Sequence, residues 1–123
     1  MGLGPKDEPD TSPPFSTLST LMAQNNHTYM DILKIDIEGA EYDALDAFMD
    51  SLDREKVKVK VLPIGQVMIE LHLSNDKKVN FARFRTWWER LEHMGMRPAW
   101  LEVSLMAVTL GRGKTDPRCV EYV

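Results

Sequence analysis

Apolar residues recur along this chain with helical spacing in three segments. Over residues 15–25 they return every three or four positions, and Ser16 or Thr17 can cap the start, which predicts a short helix. The same spacing over residues 40–52 and 81–94 predicts two further helices. Asn80 can cap the start of the last one, and Gly95 stands where a helix commonly ends.

Continuous apolar runs lie between these segments and predict strands. Residues 29–37 carry apolar side chains on both pleat faces, which favours a fully buried parallel strand with helices on each side. Residues 66–73 form a second strand candidate, residues 98–110 are strand-like, and residues 119–123 resemble the opening of another strand. The Lys–Val alternation within residues 53–65 fits either a short exposed strand or an extended connection. Strands that alternate with helices predict an α/β sheet with right-handed crossovers.

Composition and charge narrow the class of protein. Of 123 residues, 43% are hydrophobic and 28% charged, which is typical of a folded chain of one domain at most. A net charge of −4 gives no electrostatic case for nucleic acid, and the helical spacing of the aromatic residues in 81–94 favours core packing over base stacking. No apolar run approaches the ~20 residues of a membrane helix. The single cysteine, Cys119, excludes an internal disulfide.

The amino-terminal residues differ in composition from the rest. Residues 1–14 are rich in Pro, Gly and acids, which predicts a flexible N-terminal segment ahead of a domain over residues 15–123. This segment lacks the apolar core of a signal peptide, so the sequence as it stands favours the cytoplasm.

Two carboxylates end the first predicted long strand. Asp36 and Glu38 are two residues apart, so on a strand they point to the same face, at the end where α/β sheets bind ligands. Such a pair can bind a divalent cation, take a proton or accept hydrogen bonds from a polar ligand. The alternative is structural: Glu38 caps the following helix, where its charge meets the helix dipole, and Asp36 accepts from loop amides.

Glu70 and His72 repeat this pattern at the end of the next predicted strand. If the two strands are neighbours, all four side chains can converge. Two carboxylates with the imidazole, Asp36, Glu70 and His72, then make a plausible hard-metal set, and an acid beside the imidazole can instead orient a general base. A histidine satisfied at a strand end is the commoner situation, so no metal is predicted. No glycine-rich phosphate loop follows a strand, and no G-x-S-x-G is present.

The stretch that holds the first acids resembles a family hallmark. It reads DILKIDIEGAEYDAL and closely resembles the pattern of FkbM-type S-adenosylmethionine-dependent methyltransferases. The segments FSTLSTLMAQNNHTYMDIL, LPIGQVMIELHL and WWERLEHMGMRPAWLEVSL are similar to those of a fungal and animal branch of methyltransferase-like proteins. The resemblance therefore covers nearly the whole chain.

This resemblance implies a partial Rossmann-like class I methyltransferase sheet with flanking helices. In that sheet the strands are ordered 3-2-1-4-5-7-6, and this chain would supply strands four to six and the start of seven, the carboxyl-terminal half. S-adenosylmethionine is the implied cofactor, but the family's glycine loop has no counterpart here, so the cofactor-binding residues are unknown. By analogy Asp36 would position the methyl acceptor or its proton with Glu38 as support, and Glu70 and His72 would line the acceptor side.

Two functions stay open at this point. The first is a methyltransferase domain, truncated, whose activity needs sequence missing here. The second is a non-catalytic remnant or protein-interaction module that keeps the half-sheet. In either case the edge of strand four that strand one normally covers would be exposed and apolar, and a homodimer through that edge would cover it. The methyl acceptor is not identified by the residues.

Overall fold

The computed structural model describes residues 1–54, 61–73, 79–102 and 120–122. Within these ranges the chain is an α/β structure, as predicted. The helices are α1 (Leu18–Gln24), α2 (Glu41–Arg54) and α3 (Phe81–His93). The strands are β1 (Gly2–Leu3), β2 (Phe15–Ser16), β3 (Met30–Ile35), β4 (Ile64–Ile69), β5 (Leu71–Leu73) and β6 (Val120–Tyr122). None of the helices in this part of the chain is long and apolar enough to cross a bilayer.

A parallel pair of strands, β3 and β4, forms the centre of the fold. Its register runs from Met30 opposite Ile64 to Ile35 opposite Ile69. The backbone N–H of Glu70 then donates to the carbonyl of Ile35 at 3.0 Å, which extends the pairing by one residue. Because the strands are parallel, their carboxyl ends lie at the same edge. The predicted convergence of the acids required the two strands to be neighbours, and β3 and β4 are neighbours.

The second predicted strand is shorter and divided. Residues 66–73 fall in β4 and β5, which are separated at Glu70, and β5 pairs antiparallel with β6. This pairing confirms a strand within residues 119–123. The predicted strand over residues 98–110 lies mostly outside the described residues, and its described part, residues 98–102, is not a strand. Residues 55–60 of the ambiguous Lys–Val segment also lie outside the described residues.

The prediction that the first long strand is buried on both faces is wrong. Ile35 is 3% exposed and belongs to the core, whereas Ile32, on the opposite pleat face, is 62% exposed. Met68 of β4 lies on that same open face and is 49% exposed. The physical reason is that the three helices contribute to a single core, which includes the Ile35 side of the sheet. Among the described residues, nothing comparable buries the Ile32 side.

Helix α1 begins at a double cap. The hydroxyl of Thr17 accepts the N–H of Thr20 at 3.1 Å, as an N-cap does. The carboxylate of Asp7 in turn accepts the N–H of Thr17 at 2.8 Å and the hydroxyl of Thr20 at 2.7 Å. These bonds, the first of them most, lower the pKa of Asp7. The segment before the domain is thus attached to it here and at the β1–β2 pair, while its predicted flexibility stays a prediction.

Helix α3 has the predicted caps at both ends. The side chain of Asn80 accepts the N–H of Arg83 at 2.8 Å. At the other end Gly95 has φ +89° and donates to the carbonyl of Glu92, while Met96 donates to Leu91, both at 3.1 Å. This pair of bonds is the Schellman motif, and the positive φ explains the glycine.

The aromatic stripe of α3 packs in the core, as predicted. Trp87 is 1% exposed, and its ring meets Tyr42 of α2 edge-on with ring centroids 4.9 Å apart. Such an edge contact adds about 0.5–1.5 kcal/mol to the stabilisation from burial alone. The interpretation of this segment as a base-stacking surface is therefore not needed.

Helices α2 and α3 are also joined by a row of ion pairs that the sequence analysis did not anticipate. Arg90 reaches three acids of α2: Asp46 at 3.2 Å, Asp50 at 2.6 Å and Asp53 at 3.2 Å. Partial burial acts to lower the pKa of Arg90, but its bonds to Asp50 and Asp46 outweigh burial and raise that pKa. Arg83, earlier on α3, pairs with acids earlier on α2, Asp43 and Asp46. The row of ion pairs therefore runs in the same chain direction on both helices, which lie parallel.

We expect Arg90→Ala to lower the free energy of unfolding by about 1 kcal/mol, the upper end for exposed pairs, because one guanidinium serves several carboxylates. Arg85→Ala is the matched control, since Arg85 pairs only with Glu89 on the exposed surface of α3 among the described residues. That control should change little. Urea unfolding at low and high salt measures both, and the Arg90 effect should shrink as salt screens the charges. Equal effects of the two substitutions would contradict the role given to Arg90.

Candidate functional site

The chain leaves β3 through a tight turn. Strand β3 ends at Ile35, and the next reversal has Glu38 at φ +56° and Gly39 at φ +96°. The N–H of Ala40 donates to the carbonyl of Ile37 at 3.2 Å and closes the turn. Positive φ at both central residues is the pattern of a type I′ turn, in which glycine fits readily and glutamate does not.

A buried glutamate, Glu41, holds this turn in place. One of its oxygens, Oε1, accepts the N–H of Ile37 at 3.2 Å and the N–H of Gly39 at 3.1 Å. The Glu41 side chain is 0% exposed and stands in the first turn of α2, where negative charge is favourable. The alternative in which Glu38 caps the helix is thus not what is observed: Glu41 binds the turn, and the Glu38 side chain is 84% exposed.

His72 of β5 meets the same carboxylate from the other side. Its Nδ1 lies 2.8 Å from Oε1 of Glu41, and its Nε2 lies 3.7 Å from Oε2 of Glu38. The imidazole is 12% exposed. Since an ionised carboxylate only accepts hydrogen bonds, Nδ1 is the donor in this contact. In the neutral ring Nε2 is then the acceptor, on the side where Glu38 reaches solvent.

Asp36 completes the cluster. One donor atom from each of Asp36, Glu41 and His72 lies within 4.8 Å of the others, and Asp36 is exposed. Asp36, Glu38 and His72 therefore come together as the sequence predicts. Glu70 joins this edge through its backbone bond to Ile35, but it is not a member of that set.

The sequence analysis placed the two residues of each pair on one face because they are two positions apart on a strand. This argument does not hold at the end of β3 or at the end of β4. Residues 36–38 follow the end of β3, and Glu70 lies in the break between β4 and β5, so the two-residue alternation of a strand does not apply to them. Their convergence depends on the turn and on Glu41 instead. The roles assigned to Asp36, Glu38, Glu70 and His72 stay predictions.

Glu41 is the site residue that the sequence analysis missed, although a signal was present. With Leu45, Phe48 and Leu52 it falls at the spacing of one helix face, the face that packs in the core. An acid on an apolar face is rare unless it is paired. The position of Glu41 on the apolar face of α2 therefore indicates, from sequence alone, a buried carboxylate with a polar partner.

Buried polar atoms without a hydrogen-bond partner concentrate around this residue. Among the described residues they are Oε2 of Glu41, the hydroxyl of Tyr42 and Nε1 of Trp87. Burial, followed by the nearby charge of Glu41, raises the pKa of Tyr42 well above its ordinary value, so the phenol stays protonated at neutral pH. Of these three atoms, only Oε2 of Glu41 belongs to a residue of the acidic cluster.

A groove of about 590 Å³ lies elsewhere, lined by acids of α2 together with Lys6 and Asp7. It shares no residue with Asp36, Glu41 and His72. Its openness to solvent and the pairing of Asp46 and Asp50 with Arg90 account for its charge without a ligand. The cluster at the strand ends is therefore the better candidate for a functional site.

The arrangement at the strand ends agrees with a comparison to known protein families. Residues 6–98 match the model of the methyltransferase FkbM domain, which covers more than half of the chain. This chain belongs to the FkbM methyltransferase family. Neither the curated proteins nor the solved structures contain a match to it.

The strand order that the resemblance implies agrees with the neighbours observed in the two pairs β3–β4 and β5–β6. If β3 is the fourth strand, β4 with β5 the fifth and β6 the last, the pairs β3–β4 and β5–β6 follow the order four, five, seven. The α/β class predicted from the resemblance is confirmed. The assignment to a fungal and animal branch, and to the carboxyl-terminal half of the domain, stays a prediction.

We expect Glu41→Ala to lower the free energy of unfolding by about 2–3 kcal/mol, because it leaves the N–H groups of Ile37 and Gly39 without their acceptor. Glu38→Ala is the control, because Glu38 is an exposed acid in the turn that Glu41 holds, and its removal should change the free energy of unfolding by no more than about 0.5 kcal/mol. Urea unfolding followed by circular dichroism measures both. A Glu41→Ala protein as stable as Glu38→Ala would show that the turn does not depend on the buried carboxylate.

Proposed function

We propose that this chain forms the methyl-acceptor side of an S-adenosylmethionine-dependent methyltransferase domain, with the cofactor's glycine loop in sequence outside it. The family match supports methyltransferase chemistry. The observation that carries the rest is the cluster of Asp36, Glu38 and His72 next to the carboxyl ends of the parallel strands β3 and β4, where α/β sheets bind ligands.

The side chains at this edge fit the charge of the cofactor. When bound, S-adenosylmethionine supplies a methyl group on a positively charged sulfur. Asp36 and Glu38 are exposed carboxylates that would face such a cation favourably. No described residue is assigned to the adenosine or the ribose, and these contacts belong to the glycine loop and to the ribose-binding acid of the family.

The residues of this chain would act on the acceptor. Asp36 positions the acceptor or accepts its proton, since a carboxylate within hydrogen-bond reach of a hydroxyl can do either. Glu38 supports it from the turn, next to Nε2 of His72. His72 and Glu70 line the acceptor side, and Glu41 fixes the ring of His72 from behind, which makes Glu41 a positioning residue. Methyl transfer requires the acceptor and the methyl group to be held in the geometry of the reaction, and fixed side chains help to do this.

A non-catalytic interaction module is the second candidate, and one observation favours it. Ile32 and Met68 expose apolar surface on one face of the β3–β4 pair. Among the described strands β3 also pairs only with β4, so its other edge is available for a second copy of the chain. Under this candidate, size-exclusion chromatography gives twice the 14.1 kDa of the chain, and a clean monomer counts against it.

We expect S-adenosylmethionine to raise the Tm of this chain in a concentration-dependent way, because a ligand that binds the folded state stabilises it. S-adenosylhomocysteine, whose sulfur is neutral, should raise it less, since it lacks the charge that the carboxylates would face. Without the glycine loop we expect a Kd of about 1 mM. Asp36→Ala should reduce the rise. Asp31→Ala, an exposed acid at the opposite end of the same strand, should leave it unchanged.

Adenosine is the control ligand, since it lacks the sulfur and the amino acid part. A Tm that does not respond to S-adenosylmethionine, or that responds equally to adenosine, would count against cofactor contact by these residues. The non-catalytic module would then be the better account of the chain.

A further inference from the structure

We propose that Asp36, Glu41 and His72 form a binding site for a single divalent cation such as Mn²⁺ or Zn²⁺. This goes beyond the proposed methyl transfer and against the expectation, from sequence, of no metal. It also differs from the metal set considered there, because Glu41 takes the place of Glu70.

The distances suit one ion. Two ligands on one cation at about 2.1 Å are about 3.0 Å apart at right angles and about 4.2 Å apart when opposite. Nδ1 of His72 and Oε1 of Glu41 are 2.8 Å apart, and one ligand atom from each of the three residues falls within 4.8 Å of the others. On binding, the cation replaces the proton between Nδ1 and Oε1, and the ring takes the other tautomer, with its proton on Nε2 beside Glu38. The 4.8 Å limit is longer than the distance of about 4.2 Å between opposite ligands. Asp36 is exposed, so a rotation of its side chain can close the difference.

The second argument comes from the unpaired oxygen of Glu41. This carboxylate is fully buried, yet Oε2 has no hydrogen-bond partner in the described part of the chain. A buried carboxylate oxygen without a partner is strongly unfavourable unless a cation balances it. A metal ion bound to the carboxylate would supply that balance.

The charges around the cluster point the same way. Asp36, Glu38 and Glu41 bring three carboxylates to one imidazole, and the ion pairs of Glu38 and Glu41 within the described ranges both run to His72. No described Lys or Arg forms an ion pair at this cluster. The four aspartates of α2, in contrast, are paired with Arg83 or Arg90. A divalent cation is the group that this excess of negative charge would attract.

The site is also prearranged. The N–H groups of Ile37 and Gly39 hold Oε1 of Glu41, and the ladder between β5 and β6 holds the backbone of His72. Hydrogen bonds that orient metal ligands are a usual part of metal sites. Two carboxylates with one imidazole favour Mn²⁺ or Zn²⁺ over Ca²⁺, which takes oxygen ligands alone.

Mn²⁺ is the better probe, since the thiol of Cys119 gives Zn²⁺ a second place to bind. We expect the chain, freed of metal with a chelator, to remove one equivalent of Mn²⁺ from the free-ion signal in electron paramagnetic resonance. We also expect Mn²⁺ to raise its Tm. Neither readout requires the methyl cofactor, so their failure would leave the proposed methyl transfer untouched.

Asp36→Asn is the decisive variant, because Asp36 is exposed and its loss should leave the fold intact. We expect it to weaken Mn²⁺ binding about 10–100-fold, the range for losing a group that serves a metal site. His72→Gln should do the same, with circular dichroism confirming that it folds. Asp31→Asn is the matched control and should bind like the unaltered chain.

Two results would overturn the proposal. One is no loss of the free Mn²⁺ signal at about 1 mM metal. The other is equal binding by the Asp36→Asn and Asp31→Asn proteins, which would mean that Mn²⁺ associates with surface acids in general.

Discussion

One buried oxygen, Oε1 of Glu41, connects three parts of the chain that are otherwise separate. It accepts the amide of Ile37 as the chain leaves β3, the amide of Gly39 within the turn, and Nδ1 of His72 on β5. Because the group is buried, water cannot replace any of these partners, and each loss would leave a polar atom unsatisfied. The start of α2, the shape of the turn and the orientation of the imidazole therefore depend on one carboxylate.

The surrounding scaffold explains why these partners can meet. Parallel pairing of β3 with β4 brings both strand ends to one edge, and the contact between Tyr42 and Trp87 joins α2 to α3 over one face of the sheet. The row of ion pairs from Arg90 adds a second connection between those helices on the solvent side. A rigid layer beneath a polar edge is the common arrangement of α/β enzymes, in which the strands hold the site and the loops supply its chemistry.

Local patterns in the sequence predicted the helices and strands, but contacts between residues far apart in the chain could not be predicted from them. The caps at Thr17, Asn80 and Gly95 involve bonds within a few residues, so spacing alone revealed them. The Glu41–His72 bond spans 31 residues and needs a turn that spacing does not encode. Burial of β3 was overestimated because apolar composition cannot say whether a second layer covers the sheet. Asp36, Glu38 and His72 were found through the rule for strand ends, although the strand alternation used to pair them does not apply.

The backbone at Glu38 carries a further implication. Its φ of +56° is a conformation in which a residue with a side chain is disfavoured by about 1 kcal/mol relative to glycine. Glycine at this position would therefore relax the turn, and the glutamate makes the protein less stable than the same backbone allows. Residues in such conformations cluster at active sites and ligand-binding sites, which fits the proposal that Glu38 meets a ligand. If it does, the strain of this turn is what presents a carboxylate, 84% exposed, to solvent at a position where glycine would leave only a hydrogen.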